Sequence, residues 1–262
     1  MKKRRRINFV VIKSRIICFA FLIVGLIVLL GCNFGDEEAL ASVFLGVKRK
    51  VPIYSVARED KTIAISFDAA WGSDKTDKIL SILKECDTQA TFFLVGMWVD
   101  KNEDLTKKIA DMGHEIGTHS NTHKDFVKLS NDQITLELAT SKSKIERASG
   151  REVKLFRAPY GSYNNNTLDI ANSLGLKTIQ WDVDSLDWKG ISSATICQNV
   201  LKKVKSGSII LCHNNAEHIV DALPTILTTL KGRGYKFVTI SNLLLNGETS
   251  IDNTGRQILK QN

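Results

Sequence analysis

The sequence predicts an α/β fold, an irregular (β/α) barrel or partial barrel of about seven parallel strands, with a hydrophobic anchor ahead of it. From Lys61 onward, short β-branched runs alternate with segments whose apolar residues recur at helical spacing. Such alternation is the pattern of a parallel sheet with helical crossovers, and no repeat or low-complexity tract interrupts it. At 262 residues and 43% hydrophobic, the chain is long enough to bury one sizeable core.

The expected strands are TIAISF (62–67), ATFFLV (90–95), HEIGT (114–118), KLF (154–156), KTIQW (177–181), SIILC (208–212) and YKFVTI (235–240). The expected helices lie near 75–86, 103–112, 130–148, 165–174, 192–205 and 218–232. Ser130 precedes the longest as an N-cap, and Gly150, Gly175 and Gly207 follow helical patterns as stops.

Lys2, Lys3, Arg4, Arg5, Arg6, Lys13 and Arg15 precede an apolar run at 16–32, the order of an export signal or signal anchor. Charge in front of such a run stays inside, so the remainder is expected on the extracytoplasmic face of the cell membrane. Three fates share that outcome. The run meets the lower limit of roughly 17 residues for an uncleaved single-pass anchor. Leu29-Leu30-Gly31-Cys32 resembles a lipoprotein box, which would lipidate Cys32 after cleavage. Ala39-Leu40-Ala41 has the small-x-small form of a secretory cleavage site. The expected organisation is a signal or membrane anchor at 1–32, a linker at 33–60, a catalytic domain at 61–246 and a polar tail at 247–262.

Those seven basic residues account for nearly all of the net charge of +8, because no acid precedes Asp36. The domain is therefore close to neutral, which argues against a nucleic-acid partner. Cys86, Cys197 and Cys212 are scattered without CxxC spacing, so buried structural thiols are expected rather than disulfides or a thiolate zinc site. No phosphate-cradling glycine loop supports nucleotide chemistry. The chain is expected to act as a monomer.

The informative polar residues all follow expected strands. Asp68 follows the first, His119 and His123 the third, Arg157 the fourth, Asp184 and Asp187 the fifth, and His213 the sixth. In a parallel α/β barrel the carboxyl ends of the strands share one face and build the active site there, so these residues should converge. GTHSNTH spaces two imidazoles four residues apart, and on a helical turn both point one way, as a zinc-chelating pair requires. His114 lies on another side and is assigned no role.

Asp68 emerges from an apolar strand, where desolvation raises a carboxyl pKa and a metal lowers it, making it a candidate general base. Arg157 would fix its orientation and ionised state. His213 is a candidate general acid, since cleaving an amide needs a proton donor for the leaving amine. Asp187 would orient it, and Trp188 would supply an apolar or sugar-stacking wall. A glycosidase built on Asp182, Asp184 or Asp187 would leave HSNTH unexplained.

These residues resemble the polysaccharide deacetylases that share the NodB-homology domain, which include chitin and peptidoglycan deacetylases. The similarity spans 61–245 and rests on five motifs in the family's order: FDAAWG, HSNTH, RAPYG, DSLDW and LCH. The resemblance implies an irregular barrel and the metal-dependent hydrolytic N-deacetylation of a cell-wall glycan such as peptidoglycan. It implies that Asp68 is the catalytic base and that His119 and His123 hold a divalent metal, with Zn2+ the expected ion. It further implies that Arg157 braces the base, that the backbone N–H near Tyr160 helps hold the oxyanion, and that His213 is the catalytic acid. Asp187 and Trp188 match the fourth motif, and Leu211 matches the floor of the acetyl pocket.

The chain departs from the family at Ala69, where a second aspartate usually supplies the third metal ligand; Asp74 and Asp125 are the candidate substitutes. FDAAWG preceded by PIYSV resembles the sporulation-associated, PdaB-like branch, which implies spore-cortex or cell-wall peptidoglycan as the setting. Ala69 also keeps an alternative open: a catalytically impaired wall-glycan-binding or sporulation scaffold that keeps the deacetylase fold.

Overall fold

The computed structural model describes residues 49–260, so the expected N-terminal segment, with Cys32 and Ala41, lies outside the described residues. The chain runs through β1 (Ser55–Val56), β2 (Thr62–Ala69), α1 (Thr76–Glu85), β3 (Thr91–Leu94), α2 (Gly96–Val99), α3 (Glu103–Asp111) and β4 (Glu115–Thr118). Next come α4 (Asn131–Ser149), β5 (Leu155–Phe156), α5 (Asn165–Ser173), β6 (Lys177–Thr178), β7 (Val183–Asp184) and α6 (Ser193–Lys203). It ends with β8 (Ile209–His213), α7 (Ile219–Gly232), β9 (Lys236–Phe237), α8 (Ile240–Leu243), β10 (Thr249–Ile251) and β11 (Arg256–Leu259).

The strands pair in the order β6-β5-β4-β3-β2-β8-β7, parallel at every step, and form the expected partial barrel. TIAISFDA is buried along its whole length, as a central parallel strand with both faces covered must be. Its alternate residues serve different layers. Ile63, Ile65, Phe67 and Ala69 join the core beneath the helices, with Phe92, Leu94 and Ile210. Ala64 packs on the other face with Phe93, Leu155, Ile179 and Ile209. Ser66 and Asp68 share the parity of Ala64 and so point into the curl of the sheet.

Capping chemistry sets the longest helix as expected. Ser130 and Gln133 form a reciprocal capping box on α4, and Gly150 closes it in a left-handed conformation. Gly207 does something other than stop a helix. A Cβ there would lie 1.8 Å from the Val56 carbonyl oxygen, because the backbone of β1 crosses at that point and Val56 N–H donates to Gly207 O.

Four expectations need correction. Val183–Asp184 takes the seventh place in the ladder, while the expected strand at 235–240 shrinks to β9, which pairs only with the start of β2. Residues 50–60 are not linker: Ile53 and Val56 are buried, Ile53 bridges Ile179, and β1 joins a second sheet. Much of the expected tail at 247–262 is ordered as an antiparallel β10–β11 pair, with β11 parallel to β1. Each segment is too short to show a period in the sequence, and pairing with distant chain satisfies its backbone. Cys212 is buried but Cys86 and Cys197 are half-buried, all three free. Among the described residues no helix is long and apolar enough to cross a membrane.

His114 has no place near the strand ends and acts on stability. Its Nδ1 accepts from Ala90 N–H at 3.2 Å, its Nε2 has no partner, and burial lowers its pKa from 6.5 to about 4. The unfolded chain therefore takes up a proton between pH 6.5 and 4 that the folded chain refuses. Stability from this group is intact above pH 6.5, falls as the pH drops toward 4, and levels off below, a loss on the order of 3 kcal/mol. Denaturant midpoints at pH 7.5 and 4.5 should converge in His114→Gln relative to the unsubstituted chain.

Candidate active site

β2 and β8 run in parallel register with Asp68 opposite His213, so the carboxylate and the imidazole emerge side by side. Arg157 follows β5 and is fully buried. Its Nη1 donates to Asp68 Oδ1 at 2.7 Å and to Ser66 Oγ at 2.9 Å, and its Nη2 donates to Gln180 O at 3.1 Å. The guanidinium lies 4.1 Å from the centre of the Phe93 ring. Burial pulls the Asp68 carboxyl upward, but Arg157, with His119 and His213 nearby, outweighs it and holds Asp68 below the usual carboxylate range. The expected desolvation is present, and it loses to the buried cation.

His119 follows β4 and packs with His123, their ring centres 4.9 Å apart. The segment between them is a loop rather than the expected helical turn. Ser120 and His123 both take positive φ, 73° and 57°, and Ser120 Oγ accepts from His123 N–H at 2.8 Å to close the loop. His119 Nδ1 donates to the Arg157 carbonyl at 2.8 Å, which fixes the tautomer and leaves Nε2 unprotonated, 3.6 Å from Asp68 Oδ2. Burial lowers both imidazoles, His123 to about 4, so both are neutral near pH 7.

His213 is bound twice by Asp187, a buried carboxylate reached through the turn after β7. Asp187 Oδ1 lies 2.8 Å from His213 Nδ1 and Oδ2 accepts the His213 backbone N–H at 2.8 Å. Burial lowers the His213 pKa, but the hydrogen bond and charge of Asp187 prevail and the net shift is upward. A cavity of about 740 Å³ opens over these groups. Asp68, His119, His123, Tyr160, Asp187, Trp188, Leu211 and His213 all line it, with Asp184 and Trp181, while Arg157 sits behind Asp68. Tyr160, with φ 60°, sets its ring 4.7 Å from that of His123.

Donor chemistry decides whether a divalent cation fits. Two neutral imidazoles, one with its tautomer set by a carbonyl and the other with a buried, unpartnered Nδ1, are suitable nitrogen ligands. A third protein ligand is missing: Ala69 packs into the core beneath the helices, and neither Asp74 nor Asp125 lines the cavity. Asp125 instead accepts from Ser162 Oγ and pairs with Lys128. Among the described residues no group of three or more His, Cys, Asp or Glu side chains is arranged to hold a metal ion. The residues fit a two-histidine site.

Glu137 is a site residue that sequence reasoning missed. Its carboxylate accepts from the N–H groups of Asn121 and Thr122 at 2.9 and 2.8 Å and from Thr122 Oγ1, bracing the histidine loop from α4. Gly96 and Met97 brace the other side, donating to the carbonyls of Ser120 and Asn121. A signal was available: Glu137 lies in the buried stripe of α4 with Ile134, Leu138, Ser141 and Ile145, where a carboxylate requires partners. Glu137→Ala leaves two half-buried amides without their acceptor, so chemical denaturation should show a loss of about 1–3 kcal/mol. Glu137→Gln, which keeps one acceptor, should lose less.

A family model described as polysaccharide deacetylase matches residues 55–179. The uncharacterized protein YlxY of Bacillus subtilis is 36% identical over 208 residues, covering 79% of this chain and 65% of that protein, a little under two thirds of its length. A peptidoglycan-N-acetylglucosamine deacetylase of Bacillus cereus is 34% identical over 212 residues, covering 79% of this chain and 77% of that one. A solved CE4 family pseudoenzyme from Bacillus anthracis superposes with a TM-score of 0.71 at 38% identity, over 73% of this chain and 68% of that one; a mutant of it has restored enzymatic activity. With the strand-end histidines, the braced aspartate and the half-barrel in agreement, this chain belongs to the polysaccharide deacetylase family, the CE4 carbohydrate esterases.

Proposed function

We propose that the chain removes acetyl groups hydrolytically from N-acetylated cell-wall polysaccharide of the peptidoglycan type, outside the cytoplasmic membrane. One observation carries the reading: a carboxylate held ionised by a buried arginine, a neutral histidine pair and a histidine tied to its own aspartate all meet in a single cavity. The basic residues ahead of the apolar run at 16–32 support attachment to the membrane by that segment or by lipid on Cys32. The FDAAWG and PIYSV resemblance supports a sporulation setting.

His119 and His123 would hold the divalent cation, most simply Zn2+, which when bound supplies Lewis acidity for the acetyl carbonyl and acidifies the attacking water. Asp68 takes the proton of that water, and Arg157 keeps the carboxylate aimed and charged. Asp187 occupies Nδ1 of His213, so Nε2 is the atom that protonates the departing amine. Leu211 offers an apolar surface for the acetyl methyl group, and the exposed faces of Tyr160 and Trp188 flank the sugar. Acetate and a free amino sugar leave. In the full, metal-replete chain, Asp68→Asn should cut acetate release from N-acetylglucosamine polymers by roughly 10²–10⁴-fold and, by leaving the buried Arg157 without its counter-charge, should also lower the melting temperature. No acetate from any wall glycan with the unsubstituted, metal-replete protein would sink the proposal.

Ala69 favours a second reading, a glycan-binding protein whose turnover has faded. An anionic third ligand is absent, so the cation would be held weakly. Ala69→Asp places a carboxylate in a buried apolar position, which should lower the melting temperature without metal and enlarge the rise caused by added Zn2+. Acetate release that appears only in Ala69→Asp selects the second reading; comparable release without the substitution selects the first.

A further inference from the structure

We infer that Trp71 and the cavity beside it form a second saccharide subsite, which takes the sugar next to the reacting one in the same chain and accepts an acidic substituent on it. The inference rests on the deacetylase reading of the main cavity. That second cavity, of about 390 Å³, is lined by Trp71, Met97, Trp98, Lys101 and Asn102 and shares Ala70 and Trp71 with the main cavity. A chain seated with one sugar over Asp68 can therefore continue across Trp71 without leaving a lined surface.

Trp71 is 58% exposed and Met97 42%, a large apolar outlay for a solvent-facing surface. The ring contacts His123 in a T-shaped arrangement, with centres 4.6 Å apart at 66°, and a broad part of its surface stays open to solvent. An open indole face matches the C–H face of a pyranose, apolar in the middle and polar at the rim. The platform is rigid as well. The Gly72 carbonyl accepts from Trp98 Nε1 at 2.7 Å and from Asn214 Nδ2 at 2.9 Å, pinning the turn that presents Trp71. Binding to a preorganised ring loses little entropy.

Lys101 sets the chemistry of the neighbouring sugar. Among the described residues it is the only Lys or Arg lining either cavity, whereas the main cavity carries Asp68, Asp184, Asp187 and Glu217. A carboxylate on the chain thus finds a lysine one position along from the reacting sugar. An alternating glycan in which every second unit bears a carboxylate, such as N-acetylmuramic acid, fits that division.

The test is calorimetry on the full chain in an Asp68→Asn background, which blocks turnover. The probes are N-acetylglucosamine, its pentamer, and a glycan of similar length alternating N-acetylglucosamine with N-acetylmuramic acid. Trp71→Ala and Met97→Glu should each weaken pentamer binding roughly tenfold while leaving the monosaccharide unchanged, and Trp71→Phe should restore most of the affinity. Lys101→Gln should weaken only the carboxylate-bearing glycan. Equal pentamer binding by the parent and both cavity variants overturns the subsite, while acetate release by the unsubstituted chain leaves the deacetylase reading standing. Loss of monosaccharide binding in Trp71→Ala, with Met97→Glu unaffected, also overturns it by showing that the ring acts only through His123. If the parent binds no glycan and the unsubstituted chain releases no acetate, both readings fall.

Discussion

A guanidinium with no exposed surface holds the upper face of this half-barrel together. Arg157 donates hydrogen bonds to Ser66 and Asp68 on β2 and to the Gln180 carbonyl beyond β6, while Phe93 of β3 packs on its plane. Taking such a group out of water is expensive unless a counter-charge and several acceptors meet it. The same contacts that meet that cost keep Asp68 ionised in a place where burial alone would protonate it. The backbone carbonyl of Arg157 adds one more link by receiving His119 Nδ1. One residue after β5 therefore sets the charge of the candidate base and the tautomer of a candidate metal ligand.

The histidine loop shows a second kind of preorganisation. HSNTH has little regular structure, yet its backbone amides and carbonyls are taken up on one side by Glu137 and on the other by Gly96 and Met97. A Cβ on Gly96 would meet Asn121 Oδ1 at 2.3 Å, so a larger residue there would displace that side chain of the loop. The two imidazoles are thus held by packing that exists before any ligand arrives, and Trp71 and Tyr160 close on His123 from either side. Rigidity in a loop is what allows short-range donor geometry to be kept without a helix.

Ala69 shows how a single side chain divides fold from chemistry. As the last residue of a central strand it satisfies the helix-side core, and nothing in the barrel depends on its being charged. Its methyl group leaves the histidine pair with fewer protein ligands than a structural or catalytic zinc site usually has. The fold and the polar network at the strand ends do not depend on the side chain at 69, so membership of the family does not by itself fix how strongly a cation would be held.

By itself the sequence determined most of the alternation of strands and helices, the cap at Ser130 and the polar residues at the strand ends, because periodicity, capping and placement after a strand are local properties. Asp68, His119, His123, Asp187 and His213 were legible for that reason. Only tertiary structure decided that 52–56 and 249–259 join one small sheet, since neither segment has enough residues to show a period and their hydrogen bonds come from far along the chain. It also decided the direction of the Asp68 shift, which is a competition between burial and a cation 89 residues away. The loop that joins the two histidines, and the reach of Glu137 to it, follow from packing that no spacing rule contains. Trp71 is visible in the sequence as one letter of a motif; its standing between two cavities is a property of the folded chain alone.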